Sequence, residues 1–336
     1  MTPRRAAIAI AMAAAMITIA RAQGSAQSAF VGSWNLTGQA PDTTYVYWLG
    51  VTESNGQLAG MFLNRGGHAL PLAFVKVENG ELVFRAGTAE RPSGPEYRAT
   101  LENGKLIGHH TLTQAGRRGG DPTQPAPPPT ERVVNWIGVR RPSFPPSNAN
   151  GAHTYGVPVM LFDGTSLDAF GGQNTGKPTN WTITGGLATN QAGADNLVSK
   201  QKFTDFKLHV EYRLDAKSNS GLYLRGRYEL QLLDDATDTT TEPFLTHMAI
   251  YGRTAPQVKA SKPAGEWQAM EAIVVGDHVT VTLNGTRVHD NQAILGITGG
   301  ALDADELAPG PLMVQGDHSG VTIRRIVVTP ITTAGR

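Results

Sequence analysis

Apolar and polar residues alternate with period two through most of this chain, and turn signals break the alternation every few residues. Asn-Gly pairs stand at Asn55-Gly56, Asn79-Gly80, Asn103-Gly104 and Asn284-Gly285. Such a pair suits a type I′ hairpin turn, because both central residues need positive φ. Convincing helical periodicity is almost absent. The pattern predicts an all-β protein. In the first part of the chain, strands are expected at Tyr45–Thr52, Gln57–Leu63, Leu72–Val77, Leu82–Ala86, Tyr97–Leu101, Leu106–Leu112 and Val133–Val139. A meander of this kind closes naturally into a barrel, which removes exposed sheet edges.

A length of 336 residues suggests two domains. Residues 29–141 are expected to form a small, lipocalin-like β-barrel, with Gly32-Ser33-Trp34 opening its first strand. The Gly- and Pro-rich stretch Gln114–Glu131 reads as a long hairpin loop before the last barrel strand, since its prolines exclude a central strand. Residues 142–155, starting with the proline-rich Pro142–Asn150, read as a linker. Residues 156–333 carry about ten further strand-like runs, among them Phe206–Leu214, Gly221–Leu232, Trp267–Val275 and Pro311–Gln315. Many short strands favour a two-sheet sandwich or jelly roll. The irregular stretch Ala236–Ala264 between two of them has the length of a functional loop.

Arg4 and Arg5, the apolar run Ala6–Ala20 and the site Ala20-Arg21-Ala22 make residues 1–22 an expected secretory signal peptide. The mature protein is then expected in a periplasm or secreted, and not in a membrane. The chain has no cysteine, so it has neither disulfides nor a thiolate metal site. Lys and Arg number 29 against 28 Asp and Glu, a net charge of +1, which gives no electrostatic footprint for nucleic acid.

The stretch from Lys207 to Asp234 concentrates chemistry. Leu208, Val210, Tyr212 and Leu214 alternate with His209, Glu211 and Arg213. Further on, Leu222, Leu224, Leu230 and Leu232 alternate with Tyr223, Arg225, Arg227, Glu229 and Gln231. Both runs would give one greasy and one polar face. If the polar faces coincide, His, Glu, Arg, Tyr and Gln come together on a surface suited to a polyhydroxylated ligand. The alternative is a salt-bridged surface in which Glu211–Arg225 and Arg213–Glu229 are cross-strand ion pairs.

Motifs in the second domain carry a resemblance. They include Leu161-Phe162-Asp163-Gly164, Asn219-Ser220-Gly221-Leu222, the run from Leu224 to Asp234, Ala249-Ile250-Tyr251-Gly252, Pro263-Ala264-Gly265-Glu266-Trp267, Val288-His289-Asp290-Asn291, and Gln315 with His318. In order and spacing this domain resembles the 3-keto-disaccharide hydrolase domain family. The resemblance implies a concanavalin-like β-sandwich whose concave sheet binds carbohydrate. It also implies cleavage of 3-keto-glycosides, sugars already oxidised at C3. It does not extend to the barrel.

A 3-keto group acidifies the C2 hydrogen. A base can remove it, the C1 aglycone can leave, and water can add to the enone. That chemistry needs a base, donors for the enolate oxygen and an acid for the leaving group. On this reading Glu229 and Glu211 are the candidate bases, and His318 or His289 would donate to the leaving oxygen. Arg225 and Arg213 would stabilise the enolate or bind hydroxyls, and Tyr228, Gln231, Tyr251, Trp267 and Gln315 would contact the sugar. The parity of Tyr228 sets it opposite Glu229 unless Gly226 inserts a bulge. A noncatalytic carbohydrate-binding protein and a conventional glycoside hydrolase are the competing readings. No cofactor is specified. Asp234, Asp235 and Asp238 could ligate a divalent cation such as Ca²⁺, or serve as turn residues. His109 and His110 are adjacent and point to opposite faces of a strand, which disfavours a shared ion.

Overall fold

A computed structural model describes residues 27–114, 128–174, 179–191 and 193–332. The expected signal peptide and most of the Gly- and Pro-rich segment lie outside the described residues. By backbone packing the chain divides into two units, residues up to 63 with 70–141, and 64–69 with 142–336. No helix among the described residues is long and apolar enough to cross a membrane.

The first unit is a closed antiparallel barrel. Its strands are β1 (Gly32–Gly38), β2 (Val46–Ser54), β3 (Gln57–Asn64), β4 (Leu70–Glu78), β5 (Glu81–Gly87), β6 (Pro92–Glu102), β7 (Lys105–Gln114) and β8 (Thr130–Arg140). Asn55, Asn79 and Asn103 have φ of 52°, 51° and 50°, each followed by a glycine at positive φ, so these hairpins turn as the Asn-Gly pairs require. β7 pairs with β8 across the Gly- and Pro-rich segment, and β1 pairs with β8 to close the cylinder. Trp34, Tyr47, Phe62, Phe84, Tyr97 and Trp136 fill the interior. At one end the Arg140 guanidinium lies 4.2 Å from the Trp34 ring and donates to the carbonyls of Val31 and Ala29. A cation over an indole contributes about 0.5–2 kcal/mol. His109 is exposed and His110 buried, as adjacent residues on a strand must be.

The second unit is a sandwich of two antiparallel sheets. Its strands are β9 (Thr154–Tyr155), β10 (Val159–Phe162), β11 (Phe170–Gly172), β12 (Trp181–Thr184), β13 (Leu187–Asn190), β14 (Leu197–Phe203), β15 (Phe206–Leu214), β16 (Asn219–Leu224) and β17 (Tyr228–Leu233). They continue as β18 (Trp267–Val275), β19 (His278–Leu283), β20 (Thr286–Ala293), β21 (Gly310–Val314) and β22 (Val321–Thr332). The larger sheet runs β12-β13-β22-β15-β18-β19-β20, with β9 and β10 also on β22. The smaller runs β11-β14-β21-β16-β17. Leu208, Val210, Met270, Ala272, Val281 and Val328 from the first, and Leu222, Leu230, Leu232, Leu312 and Val314 from the second, are all buried.

Two expectations are corrected here. Gly221–Leu232 is not one strand but the hairpin β16–β17, turning at Arg225 (φ 54°) and Gly226 (φ 65°). The two chemistry-rich runs also do not share a face. β15 pairs with β18 and β22 in the larger sheet, whereas β16 and β17 belong to the smaller one. Their greasy sides both enter the core, so their polar sides look in opposite directions. The ion pairs Glu211–Arg225 and Arg213–Glu229 therefore do not form.

Candidate active site

The polar face of the smaller sheet holds a cavity of about 300 Å³. The register of β16 and β17 builds its floor. Tyr223 stands opposite Glu229 and Gly221 opposite Gln231, so all four present one face, while Leu222 and Leu230 present the other. On the far side of β16, Gln315 donates its backbone N–H to the Gly221 carbonyl. Gly221 is required here by space: the Glu229 carboxylate lies over it, where any β-carbon would overlap it.

Glu229 is only 4% exposed. Its side chain accepts a hydrogen bond from the Tyr223 hydroxyl at 2.9 Å, and its backbone N–H donates to Thr298 Oγ1. Burial pushes its carboxyl up to about 8; the Tyr223 hydrogen bond opposes this and the negative charge of Asp317 adds to it. Tyr251 enters from the irregular stretch after β17. Its backbone N–H donates to the Glu229 carbonyl at 2.9 Å, which seats it beside that residue. Burial and the Glu229 charge raise its phenol. At the mouth, His318 Nδ1 and Asp317 Oδ1 are 2.7 Å apart, and both side chains are about half exposed. With Nδ1–H donated to Asp317, Nε2 is free to meet a ligand. Asn219, Asn196, Gln173 and Met313 also line the cavity, with Gly299 and Gly300. A second hollow of about 450 Å³ adjoins it and shares Gln173, Asn196 and Asp317.

Five of the residues singled out in the sequence thus meet in one cavity: Glu229, His318, Gln231, Tyr251 and Gln315. The others lie elsewhere. Glu211 is on the outward face of the larger sheet, where it accepts from Arg324 and contacts His209 at 3.1 Å. Arg213 and Trp267 are paired on that same face, the guanidinium 5.3 Å from the ring. Arg225 is buried at its turn, with its guanidinium given to the Thr204 and Gly276 carbonyls and to Asp205 Oδ1 at 2.9 Å. That clamp offsets the cost of a left-handed conformation at a residue with a side chain. Tyr228 points into the core, as its parity requires, and donates to Glu306 Oε2 at 2.9 Å. His289 is buried in the larger sheet with Nε2 2.8 Å from the Met248 carbonyl, and burial lowers its pKa.

The aspartates considered for a cation are occupied locally. Asp234 accepts from the Lys217 N–H, Asp235 from the His247 N–H, and Asp238 from Thr240 and Thr241. Among the described residues, no group of three His, Asp or Glu side chains is arranged to hold a metal ion. Sequence reasoning missed Asp317, Asn219, Asn196 and Gln173. Asn219 shares the parity of Tyr223 and Asp317 is the neighbour of His318, so both were within reach; Asn196 and Gln173 come from stretches distant in sequence.

The arrangement offers a buried carboxyl that titrates near neutrality, two phenols, an imidazole oriented by a carboxylate, and a set of amides. Such a group of residues can move protons at a carbon next to a carbonyl while hydrogen-bonding a sugar.

Comparison with known proteins places the chain. No curated protein matches it. Among solved structures, it is similar to a candidate glycosyl hydrolase from Parabacteroides distasonis ATCC 8503, with 26% identity, TM-score 0.46, and coverage of 53% of this chain and 90% of that one. Two further candidate glycosyl hydrolases from the same organism show 23% and 18% identity, each with TM-score 0.42 and 52% of this chain covered, and with 100% and 94% of their own length. The model of the 3-keto-alpha-glucoside-1,2-lyase-like domain matches residues 158–329, about half of the chain and nearly all of the sandwich. Through this match the chain belongs to the 3-keto-alpha-glucoside-1,2-lyase-like domain family.

Proposed function

We propose that this protein cleaves 3-keto-glycosides in the cavity of the sandwich, with Glu229 as the base that removes the C2 proton. Family membership makes it a glycoside-acting, carbohydrate-active protein. The observation that carries the finer reading is the buried Glu229 carboxyl on the cavity floor, held near a pKa of 8. A base is most effective when its pKa lies near the working pH.

In this reading the C2–H bond breaks toward Glu229 and the electrons form an enolate on the C3 oxygen. Tyr251 is the phenol available to donate to that oxygen, since the Tyr223 proton is committed to Glu229 or the Gly299 carbonyl. The enolate collapses back to a ketone as the C1–O bond breaks, and His318 protonates the leaving oxygen. Water adding at C1, with a proton returned to C2, gives the free 3-keto sugar. Release of the enone before hydration makes the reaction a lyase step. The arginines expected to stabilise the enolate have no part in this scheme, since Arg213 and Arg225 are away from the cavity. The expected signal at residues 1–22 accords with action outside the cytoplasm, and intact-mass analysis of exported protein tests it.

Incubation with a chromogenic 3-keto-α-glucoside, alongside the same glucoside unoxidised, tests the function. Aglycone release from the keto form alone is expected. Equal release from both would instead assign a conventional glycosidase, with Glu229 and Asp317 as its carboxylates. Binding without release would assign a carbohydrate-binding role.

A further inference from the structure

Tyr251 reaches the cavity on a segment, residues 247–251, that is added to the edge of β17. That strand is the last of the smaller sheet, and its outward N–H and C=O groups belong to Glu229, Gln231 and Leu233. The Tyr251 N–H donates to the Glu229 carbonyl, the Met248 N–H donates to the Gln231 carbonyl at 2.7 Å, and the Ala249 carbonyl accepts from the Gln231 N–H. At Leu233 the His247 ring stands where a backbone would, with Nδ1 3.0 Å from the Leu233 nitrogen and 2.9 Å from its oxygen. Beyond Tyr251, Arg253 donates to the Ile297 carbonyl at 2.7 Å, so the segment is also tethered on its other flank.

Two side chains of the larger sheet cross the sandwich to this segment. Tyr212 of β15 places its hydroxyl 2.7 Å from His247 Nε2, and His289 of β20 places Nε2 2.8 Å from the Met248 carbonyl. All three side chains are buried. A carbonyl only accepts, so His289 Nε2 carries the proton. Its Nδ1 is then a bare acceptor, buried without a partner. An unsatisfied nitrogen in the core costs stability that a leucine would not. What the imidazole supplies against that cost is the bond from Nε2 to the backbone shortly before Tyr251.

We propose that His289, and His247 with Tyr212, are positioning residues that act through this segment to set the Tyr251 phenol in the cavity. The proposal rests on the reading of Tyr251 as the donor to the enolate oxygen. A donor engaged only by the enolate acts on kcat and not on KM, so a displaced phenol slows turnover without weakening binding.

Double-mutant kinetics on a 3-keto-α-glucoside, with amide hydrogen exchange on the same proteins, test it. His289→Leu should lower kcat about tenfold at unchanged KM. His289→Gln, whose amide can still donate to Met248, should recover most of that loss. In a Tyr251→Phe background His289→Leu should cost little more, because residues that act as one unit are not additive. The amides of Met248 and Tyr251 should exchange at least about tenfold faster in His289→Leu, with those of β16 unchanged. Tyr212→Phe, which removes a single oxygen, takes its place if His289→Leu does not fold. Unchanged kcat, a rise in KM alone, full additivity with Tyr251→Phe, or exchange that quickens equally in β16 would overturn the proposal. A parent protein that leaves the 3-keto-glucoside intact would instead sink the keto-glycoside reading, and exchange alone would then decide whether the histidines hold the segment.

Discussion

The Tyr223 hydroxyl lies 2.9 Å from the Glu229 carboxylate and 2.9 Å from the Gly299 carbonyl. A phenol has one proton to donate. When Glu229 is neutral, its own O–H can donate to the Tyr223 oxygen while Tyr223 donates to Gly299. When Glu229 ionises, Tyr223 must turn to the carboxylate and leave the carbonyl. The protonation state of Glu229 and the direction of the Tyr223 hydroxyl are therefore linked.

Removing that hydroxyl takes away a donor to the charged form of Glu229. With Glu229 as base, kcat/KM should rise with pH through about 8, where the carboxyl ionises. In Tyr223→Phe the midpoint should move upward, and each unit of movement costs about tenfold in rate at neutral pH. A pH profile of both proteins checks this. A profile that falls through the same region would make Glu229 the acid rather than the base.

Folding stability should carry the same signature. The Glu229 carboxyl titrates near 4.5 when unfolded and near 8 when folded, so between these values the folded state holds the extra proton. The stability this group contributes is fully present below pH 4.5 and is lost as pH rises through 8, with a slope of up to about 1.4 kcal/mol per pH unit. Glu229→Gln cannot ionise. Its melting temperature, relative to the parent, should therefore climb from pH 5 to pH 8, as measured by thermal denaturation across that range.

Two variants separate packing from chemistry. Arg225→Ala leaves Asp205 buried without its partner and should destabilise the fold by about 3–5 kcal/mol. Glu211→Gln loses only partly exposed contacts with Arg324 and His209. It should change stability by no more than about 1 kcal/mol and leave kcat intact. Denaturant titration with parallel kinetics distinguishes the two.

How far the site was legible follows from what strand periodicity encodes. Period two says which residues of one strand share a face, so Tyr223, Glu229 and Gln231 could be grouped from spacing. The Asn-Gly turns were legible for a similarly local reason, since few other pairs adopt positive φ twice without cost. Periodicity does not say which strand lies next door. Glu211 and Glu229 are 18 positions apart in the numbering and both on polar faces, yet β15 and β17 belong to different sheets. The Arg225-Gly226 turn was hidden because arginine is not a usual residue at positive φ; only the buried clamp on its guanidinium sustains it. Asn196 and Gln173 reach the cavity through sandwich topology, which no local pattern records.

The most direct measurement is the turnover of a 3-keto-glycoside by Glu229→Gln. The substitution keeps the shape of the side chain and removes its basic oxygen. A rate loss of about 10²–10⁴-fold is expected, with the fold intact by circular dichroism. A kcat near that of the parent would contradict the assignment of Glu229 as the base, and with it the proposed chemistry of this cavity.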